Sequence, residues 1–106
     1  MAMSEKQFET LADAELRRLV EALDEVGDEI DPELQMGVLS ILFEDGGKFV
    51  VNSHRAARQI WMAAEQSAWH FDWDEGARLW LAHDAELWVT LSSALTRRLG
   101  RPVELA

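Results

Sequence analysis

The sequence predicts an α+β fold, a two-layer sandwich in which an N-terminal and a C-terminal helix pack on one face of an antiparallel sheet of about five or six strands. Three observations lead to this prediction. Apolar residues recur at helical spacing up to residue 26, short apolar runs alternate with turn residues in the middle, and helical spacing returns after residue 83. The length of 106 residues fits a single domain, 1–106. The second face of the sheet is then open to solvent or to partners.

The first helix is predicted to begin at a capping box formed by Ser4 and Gln7. The Ser4 hydroxyl accepts from the Gln7 amide, and the Gln7 side chain returns to the Ser4 backbone. Seven apolar residues then fall on one stripe of the helix: Phe8, Leu11, Ala12, Leu16, Leu19, Leu23 and Val26. Gly27 lies near the predicted end of the helix and loosens it.

The stretch 37–63 organises the predicted sheet. The run 37–43 is apolar at both parities, so we expect both of its faces to be partly covered. The turn 44–47 contains Asp-Gly and Gly-Gly, which supply the positive φ angles of a tight hairpin, and the chain returns over 48–52. A short strand at 34–36 precedes this hairpin, and Pro32 fits only the start or the edge of that strand.

A further strand at 58–63 places Ile60 and Met62 on one face and Gln59 and Trp61 on the other. If the first face is the core, Trp61 stands on the uncovered face of the sheet beside amides. Two interpretations of Trp61 follow. The spacing alone favours a second small core, whereas a large aromatic residue on a flat sheet is also typical of a binding anchor.

The rest of the chain completes the sandwich with a connection at 64–68, a strand at 69–73, a turn at 74–76 and a strand at 78–81. His83 and Asp84 are predicted to open the last helix, with Asp84 as its N-cap. Its apolar stripe is Leu87, Trp88, Leu91, Ala94, Leu95 and Leu99. Gly100 is a helix stop and Pro102 prevents continuation.

Charge and composition limit the function classes. The net charge is −10, and residues 1–45 alone hold thirteen acidic and three basic residues, so the whole imbalance lies in the N-terminal half. This argues against nucleic acid and suits cations or a basic protein partner. The chain has no cysteine, which excludes disulfides, thiolate nucleophiles and Cys-ligated metals. No signal peptide and no membrane-length apolar run is seen, so we expect a cytoplasmic protein without membrane contact.

The acids concentrate at the end of the first helix. Glu21, Asp24, Glu25 and Asp28 are spaced i, i+3, i+4, i+7, so they share a face nearly opposite the apolar stripe. Acids at a helix C-terminus oppose the helix dipole by about 0.3–1 kcal/mol each. One interpretation is a solvated face that keeps the protein soluble. The local electrostatic cost favours the other interpretation, a functional site.

Taken together, the residues resemble the frataxin family, in particular its bacterial CyaY type, over nearly the whole chain. The resemblance rests on the acidic first helix and on the order and spacing of Gly37-Val38-Leu39, Ile41, Phe43, Lys48, Asn52, Gln59-Ile60-Trp61, His70-Phe71-Asp72 and Trp80. The chain departs from the family pattern at His54, where Gln is usual, at Ala56, where Pro is usual, and at Ser67-Ala68, where Gly-Gly is usual. These departures affect the shape of the 53–57 edge and its partner contacts.

The resemblance implies an iron-binding regulator or iron chaperone in iron–sulfur cluster assembly that is not an enzyme. The implied partners are the cysteine desulfurase and the iron–sulfur scaffold protein. The implied cofactor is weakly bound Fe²⁺ or Fe³⁺, held by what we call the acidic ridge: Glu21, Asp24, Glu25, Asp28 and Asp31. Glu29 and Glu33 match the ridge with less certainty. The implied partner-binding residues are Asn52, Gln59, Trp61, Glu21, Asp24 and Glu25.

The chemistry of the residues agrees with weak binding of a hard metal ion. Carboxylates are hard oxygen donors that suit iron, calcium, magnesium or manganese. Glu-x-x-His pairs of the di-iron bundle type are absent from the sequence, which disfavours a ferroxidase centre. The alternative function is ferroxidase or iron-storage activity at the acidic ridge. We expect a monomer, with iron-dependent oligomerisation as the alternative.

Overall fold

The computed structural model describes residues 3–105, which form a two-layer sandwich. The elements are α1 (Glu5–Asp24), β1 (Ile30–Gln35), β2 (Val38–Phe43), β3 (Lys48–His54), β4 (Gln59–Ala64), β5 (Ser67–Asp74), β6 (Leu79–Ala82), β7 (Ala85–Glu86) and α2 (Leu87–Leu99). The strands form one antiparallel sheet in chain order. The fold class is confirmed. The sheet has seven strands because β1 is a full strand and β7 adds a two-residue pair.

The sheet buries one parity of its central strands beneath the helices. Helix α1 packs against β1 and β3, and α2 packs against β6 and β7. The fully buried strand residues between these helices and the sheet are Leu39, Ile41, Val51, Ile60, Met62, Phe71 and Trp80. Ile60 and Met62 therefore face the core as predicted, and the opposite parity lies on a face that no described helix covers.

Helix α1 begins as predicted and ends slightly earlier than its apolar stripe. The Gln7 N–H donates to Ser4 Oγ at 3.1 Å, and the Ser4 N–H donates to Gln7 Oε1 at 2.9 Å, which closes the capping box. The helix stops at Asp24, with Glu25 as its C-cap, and Gly27 follows at a φ of 133°. Most of the ridge acids therefore lie at or just beyond the helix end.

The predicted start of the last helix is wrong. His83 and Asp84 form the two-residue turn between β6 and β7, where Ala82 pairs with Ala85. Helix α2 begins at Leu87, and its N-cap is Glu86, whose carboxylate accepts from the N–H groups of residues 88 and 89 at 2.9 and 3.0 Å. A two-residue strand has no periodicity to reveal it, so the capping signal at Asp84 predicts the N-cap two residues too early.

The predicted connection at 64–68 is also shorter than expected. Strand β4 continues to Ala64 and β5 begins at Ser67, which leaves only Glu65 and Gln66 in the turn. Both residues have positive φ, 53° and 66°, as a type I′ hairpin turn requires. This turn contains no glycine or asparagine that would mark it in the sequence. None of the helices in this described part of the chain is long and apolar enough to cross a membrane.

Glu15 is a buried carboxylate that the helical pattern did not single out. It lies on α1 with 6% of its surface exposed, and among residues 3–105 it is the single charged residue in the core. It accepts from Arg18 Nη2 at 2.7 Å and from the indole N–H of Trp88 on α2. The contact with Trp88 joins the two helices.

Three arginines near the C-terminus, Arg97, Arg98 and Arg101, form ion pairs with acids in loops next to the sheet. The Arg97 guanidinium donates hydrogen bonds of 2.6 to 3.0 Å to the Glu65 carboxylate, and Arg98 donates to both oxygens of Asp45 at 2.6 and 2.7 Å. Hydrogen bonds from the Arg97 guanidinium lower the pKa of Glu65 below its ordinary value of 4.5. Those from Arg98 lower the pKa of Asp45 in the same way. Folding is thereby coupled to the ionisation of these carboxyls.

We expect Glu15→Ala to lower the free energy of unfolding by about 1–3 kcal/mol, because it leaves the Trp88 N–H buried without an acceptor. Glu15→Gln keeps an acceptor oxygen and is the matched control, with a smaller loss. Urea denaturation measures both variants. Equal losses in the two variants would show that the hydrogen bond to Trp88 does not carry the effect.

We expect the stabilisation from the Arg97–Glu65 pair to be lost in acid. The folded pKa of Glu65 is depressed, so its contribution is fully present above the ordinary value of 4.5 and disappears as the pH falls through the lowered folded pKa. The difference in unfolding free energy between wild type and Glu65→Gln should therefore shrink below about pH 4.5. Glu44→Gln is the control, since no arginine in residues 3–105 pairs with Glu44. A difference that stays constant into acid contradicts the prediction.

Candidate functional site

The acidic ridge lies along one exposed flank of the sandwich. Its residues span the end of α1, the following loop and the start of β1, and every one of them is exposed: Glu21, Asp24, Glu25, Asp28 and Asp31. The last turn of α1 contains no basic residue. The acids therefore meet the negative end of the helix dipole without a nearby cation on the same turn.

The ridge acids differ from five of the eight other acids of residues 3–45 in their ion pairs. Five acids of residues 3–45 pair with arginines: Glu5 and Glu9 with Arg55, Glu15 with Arg18, Glu29 with Arg101, and Asp45 with Arg98. None of the ridge acids has a basic nitrogen within 4.0 Å among the residues that the structure describes. The ridge therefore presents uncompensated negative charge to whatever approaches it.

Glu29 is paired with Arg101 of the C-terminal segment, so it differs from the unpaired acids of the acidic ridge. Arg101 Nε donates to Glu29 Oε1 at 3.0 Å, and Arg101 Nη2 donates to the Val26 carbonyl at 2.9 Å. Hydrogen bonds from Arg101 lower the pKa of the Glu29 carboxyl. The guanidinium thus holds the loop between α1 and β1 in place, which fixes the part of the backbone that carries Asp28.

The ridge can bind hard cations only in a dispersed way. Within residues 3–105, no three His, Asp, Glu or Cys side chains converge on a position that could hold a metal ion. Iron sites that bind tightly need several donors around one ion. The exposed carboxylates are the right class of donor for iron, and their separation favours weak binding at several positions along the flank.

The uncovered face of the sheet carries a stack of three aromatic rings. Trp61 on β4 lies between His54 on β3 and His70 on β5, with ring centroids 3.8 and 4.2 Å apart and planes within 14° of parallel. Neighbouring strands are about 4.8 Å apart, so rings stacked from strand to strand must stand on edge above the sheet. Both faces of the indole are therefore covered, and its outer edge is the part that a partner can reach.

Hydrogen bonds hold this stack in position. The indole N–H of Trp61 donates to Gln59 Oε1 at 2.8 Å, and Gln59 Nε2 donates to Asp72 Oδ1 at 3.1 Å. The Ala57 N–H donates to His54 Nδ1 at 3.2 Å, which fixes the first imidazole. The stack, with the Gln59–Asp72 bridge, forms a preorganised surface instead of a mobile side chain.

The predicted partner-binding residues of the sheet lie together. Asn52 is directly opposite Trp61, which is directly opposite His70, and Gln59 adjoins Trp61 on the same strand. Trp61 is only partly buried and lies outside the main hydrophobic core cluster. Its partners are imidazoles and an amide instead of aliphatic side chains.

Sequence reasoning missed the two histidines as companions of Trp61. His70 sits opposite Trp61 in the register of β4 and β5, and His54 is two positions further along β3 from the residue opposite Trp61. Both positions follow once the strand registers are known. The alternation in 69–73 placed His70 on the uncovered face, but it did not give the register.

Comparison with known proteins identifies a family model and several relatives that match most of the chain. The frataxin-like domain model matches residues 1–101. The iron-sulfur cluster assembly protein CyaY of Stutzerimonas stutzeri is 36% identical over 81 residues, which cover 76% of this chain and 74% of the relative. The protein of the same name from Pseudomonas paraeruginosa is 35% identical over 105 residues, which cover 96% of each chain.

Solved structures agree with this assignment. Frataxin from Psychromonas ingrahamii superposes with a TM-score of 0.86 over 98% of this chain and 99% of the other, at 24% identity, which supports the fold alone. Yeast frataxin gives a TM-score of 0.71 at 25% identity, over 90% of this chain and 82% of the other. The seven-stranded sandwich, the family match along the chain and these relatives lead to one conclusion: this chain is a member of the frataxin-like family.

Proposed function

We propose that this chain is an iron-binding regulator, or iron chaperone, of iron–sulfur cluster assembly that docks on the cysteine desulfurase–scaffold complex. The relatives bear the name of iron-sulfur cluster assembly proteins, which supports the process. The observation that carries the docking mode is the contrast in ion pairing. Arginines pair with five of the eight other acids of residues 3–45, while none of the ridge acids has a basic nitrogen within 4.0 Å in the described residues.

The two surfaces have different physical roles in this proposal. Uncompensated charge acts over roughly 8–10 Å at physiological salt, so the acidic ridge speeds the encounter with a basic patch on the desulfurase. The Trp61 stack acts only on contact. Its rigid, partly desolvated edge is the kind of aromatic anchor that sets how long a complex survives, and we assign it to the scaffold protein.

Iron is the cargo of this proposal, held weakly on the ridge. The same carboxylates meet the iron and the basic patch, so the two compete for the same charges. A chaperone needs this weak hold, since an ion bound in a closed cage is not released to a partner. The dispersed donors support this role over catalytic oxidation of iron, and we propose that the protein is not an enzyme.

We expect Glu21→Lys, Asp24→Lys and Glu25→Lys combined to weaken binding to the desulfurase by about tenfold or more while leaving the fold as stable as wild type or more stable. The binding loss follows from reversed charge at the docking patch, and the stability gain from cations at the C-terminus of a helix. Calorimetry at low and moderate salt measures binding, and thermal unfolding measures stability.

The matched control for this triple variant is Glu44→Lys, Asp84→Lys and Glu104→Lys, which reverses the same amount of charge at exposed acids that form no ion pair within residues 3–105. The control tests whether net charge alone decides binding. Equal loss in both triple variants, or no loss in the ridge variant, is inconsistent with docking through the ridge. Absence of binding by wild type at low salt rejects the proposed function itself.

We expect Trp61→Ala to weaken the contact with the scaffold protein by about tenfold or more, because it removes the aromatic edge at the centre of the stack. The fold should remain intact, with a loss of about 1–2 kcal/mol from the lost stacking. Binding to the isolated scaffold and urea denaturation are measured side by side. Global unfolding of this variant instead would assign Trp61 a structural role.

A further inference from the structure

The end of the β1–β2 hairpin exposes three apolar side chains. Met36 lies in the turn, Val38 lies on the uncovered face of the sheet, and Leu34 lies on the helix-covered face opposite the buried Leu39. Met36 is 95% exposed, and Val38 and Leu34 beside it are 41% and 36% exposed. We call these three residues the hairpin tip. The other large apolar residues exposed in the described part of the chain, Leu79 and Val89, lie on β6 and α2 away from this hairpin. A nearly fully exposed methionine next to a further exposed apolar side chain is the kind of surface that marks an interaction site.

The backbone of the turn adds a second unfavourable feature at the same residue. Gln35 pairs with Val38, so Met36 and Gly37 form a two-residue turn, and their φ angles are 50° and 79°. Two positive φ angles define a type I′ turn, which favours asparagine before glycine. Methionine gains nothing from the left-handed conformation, because it lacks the short polar side chain that makes this conformation tolerable.

Other residues of this chain show that the combination is unusual here. Five further non-glycine residues have positive φ, and all of them are polar: Arg58, Glu65, Gln66, Arg78 and His83. Met36 is the one apolar member of this set in residues 3–105. Neither packing nor turn preference explains a methionine at this position. A polar residue there would give the fold a higher free energy of unfolding.

The surroundings of the hairpin tip identify the kind of surface that fits it. Asp13 and Arg17 of α1 line a cavity of about 240 Å³ beside Met36. Asp31 of the acidic ridge and Glu33 lie on the same strand as Leu34, and neither pairs with a cation in the described chain. Two acids therefore lie near Met36, Asp13 across the cavity and Glu33 three positions earlier, against the single base Arg17.

The hairpin that carries the tip lies between the two surfaces of the proposed docking mode. Strand β1 carries Asp31 of the acidic ridge. On β2, Val38 is directly opposite Asn52, which is directly opposite Trp61, so Val38 begins the row that leads to the aromatic stack. A partner that meets both the ridge and the stack must pass over this hairpin.

We infer that the hairpin tip is an apolar anchor, with Met36 at its centre, that inserts into an apolar pocket rimmed by basic side chains on the desulfurase–scaffold complex. This inference rests on the proposed function and adds a contact to it. Methionine suits such a contact, since its flexible and polarisable side chain adapts to irregular pockets. The basic rim of the pocket complements Asp13 and Glu33, in the arrangement of apolar centre and charged border that is common in protein interfaces.

The substitution Met36→Asn tests the anchor, because its two effects have opposite signs. Asn-Gly is the preferred pair for a type I′ turn, so thermal unfolding should shift upward by a few degrees. Removal of the apolar side chain should weaken binding to the assembled desulfurase–scaffold complex by about tenfold, measured by calorimetry at moderate salt. A merely structural role for Met36 does not predict tighter folding together with weaker binding.

Two matched variants separate the explanations. Met36→Leu keeps an apolar side chain on the same backbone and should bind within a few-fold of wild type. Val89→Gln makes an exposed apolar residue polar on α2, which packs at the opposite edge of the sheet, and should leave binding unchanged. A loss in Met36→Asn alone supports the anchor.

Three outcomes overturn the inference. If Met36→Asn binds like wild type while the ridge variant fails to bind, the anchor is rejected and the proposed function stands. If Met36→Leu binds as weakly as Met36→Asn, the loss comes from the turn and the anchor is again rejected. If wild type does not bind the complex, the proposed function fails, and the anchor fails with it.

Discussion

Coverage of the sheet on one face only is the constraint from which the functional surfaces follow. Both helices pack on the same face of the sheet, and side chains alternate strictly along each strand. Every residue that fills the core therefore forces its neighbour onto the uncovered face. Because Ile60 and Met62 are buried, Trp61 lies on the uncovered face. In the same way, the burial of Phe71 places His70 on that face. The aromatic stack is thus a direct consequence of the core on the other side.

The arginines decide which acids are available. Arginines form ion pairs with carboxylates that lie near turns and near the C-terminal segment. Examples are the pair of Arg98 with Asp45 and the pair of Arg101 with Glu29. These pairs hold α2 and the α1–β1 loop in place while leaving the acidic ridge unpaired. Helix α2 ends with arginines that suit its dipole, whereas α1 ends with acids that oppose it. The contrast within one chain argues that the ridge is retained for binding.

The sequence predicted the fold class, the capping box at Ser4 and the core parity of β4, because hydrophobic period and capping are local properties. It misplaced the start of α2, since Asp84 offers the same capping chemistry as Glu86 and a two-residue strand has no period. The companions of Trp61 depend on the registers of three strands, which no local pattern contains. The ridge residues were predictable as a charged run, but their freedom from arginines required the tertiary structure.

The β1–β2 hairpin carries both a charged residue of the acidic ridge and exposed apolar side chains, so it combines long-range electrostatic attraction with short-range apolar contact. Long-range charge raises the rate of encounter but is screened by salt, whereas a desolvated apolar contact sets the rate of dissociation. A surface with charge alone forms complexes that exchange quickly, and one with apolar contacts alone forms complexes slowly. This hairpin carries Asp31 of the acidic ridge at the start of β1, Met36 in its turn, and Val38 at the start of the row that leads to the Trp61 stack. Recognition that proceeds from ridge to tip to stack therefore requires no movement of the fold, only a partner shaped to cover all three.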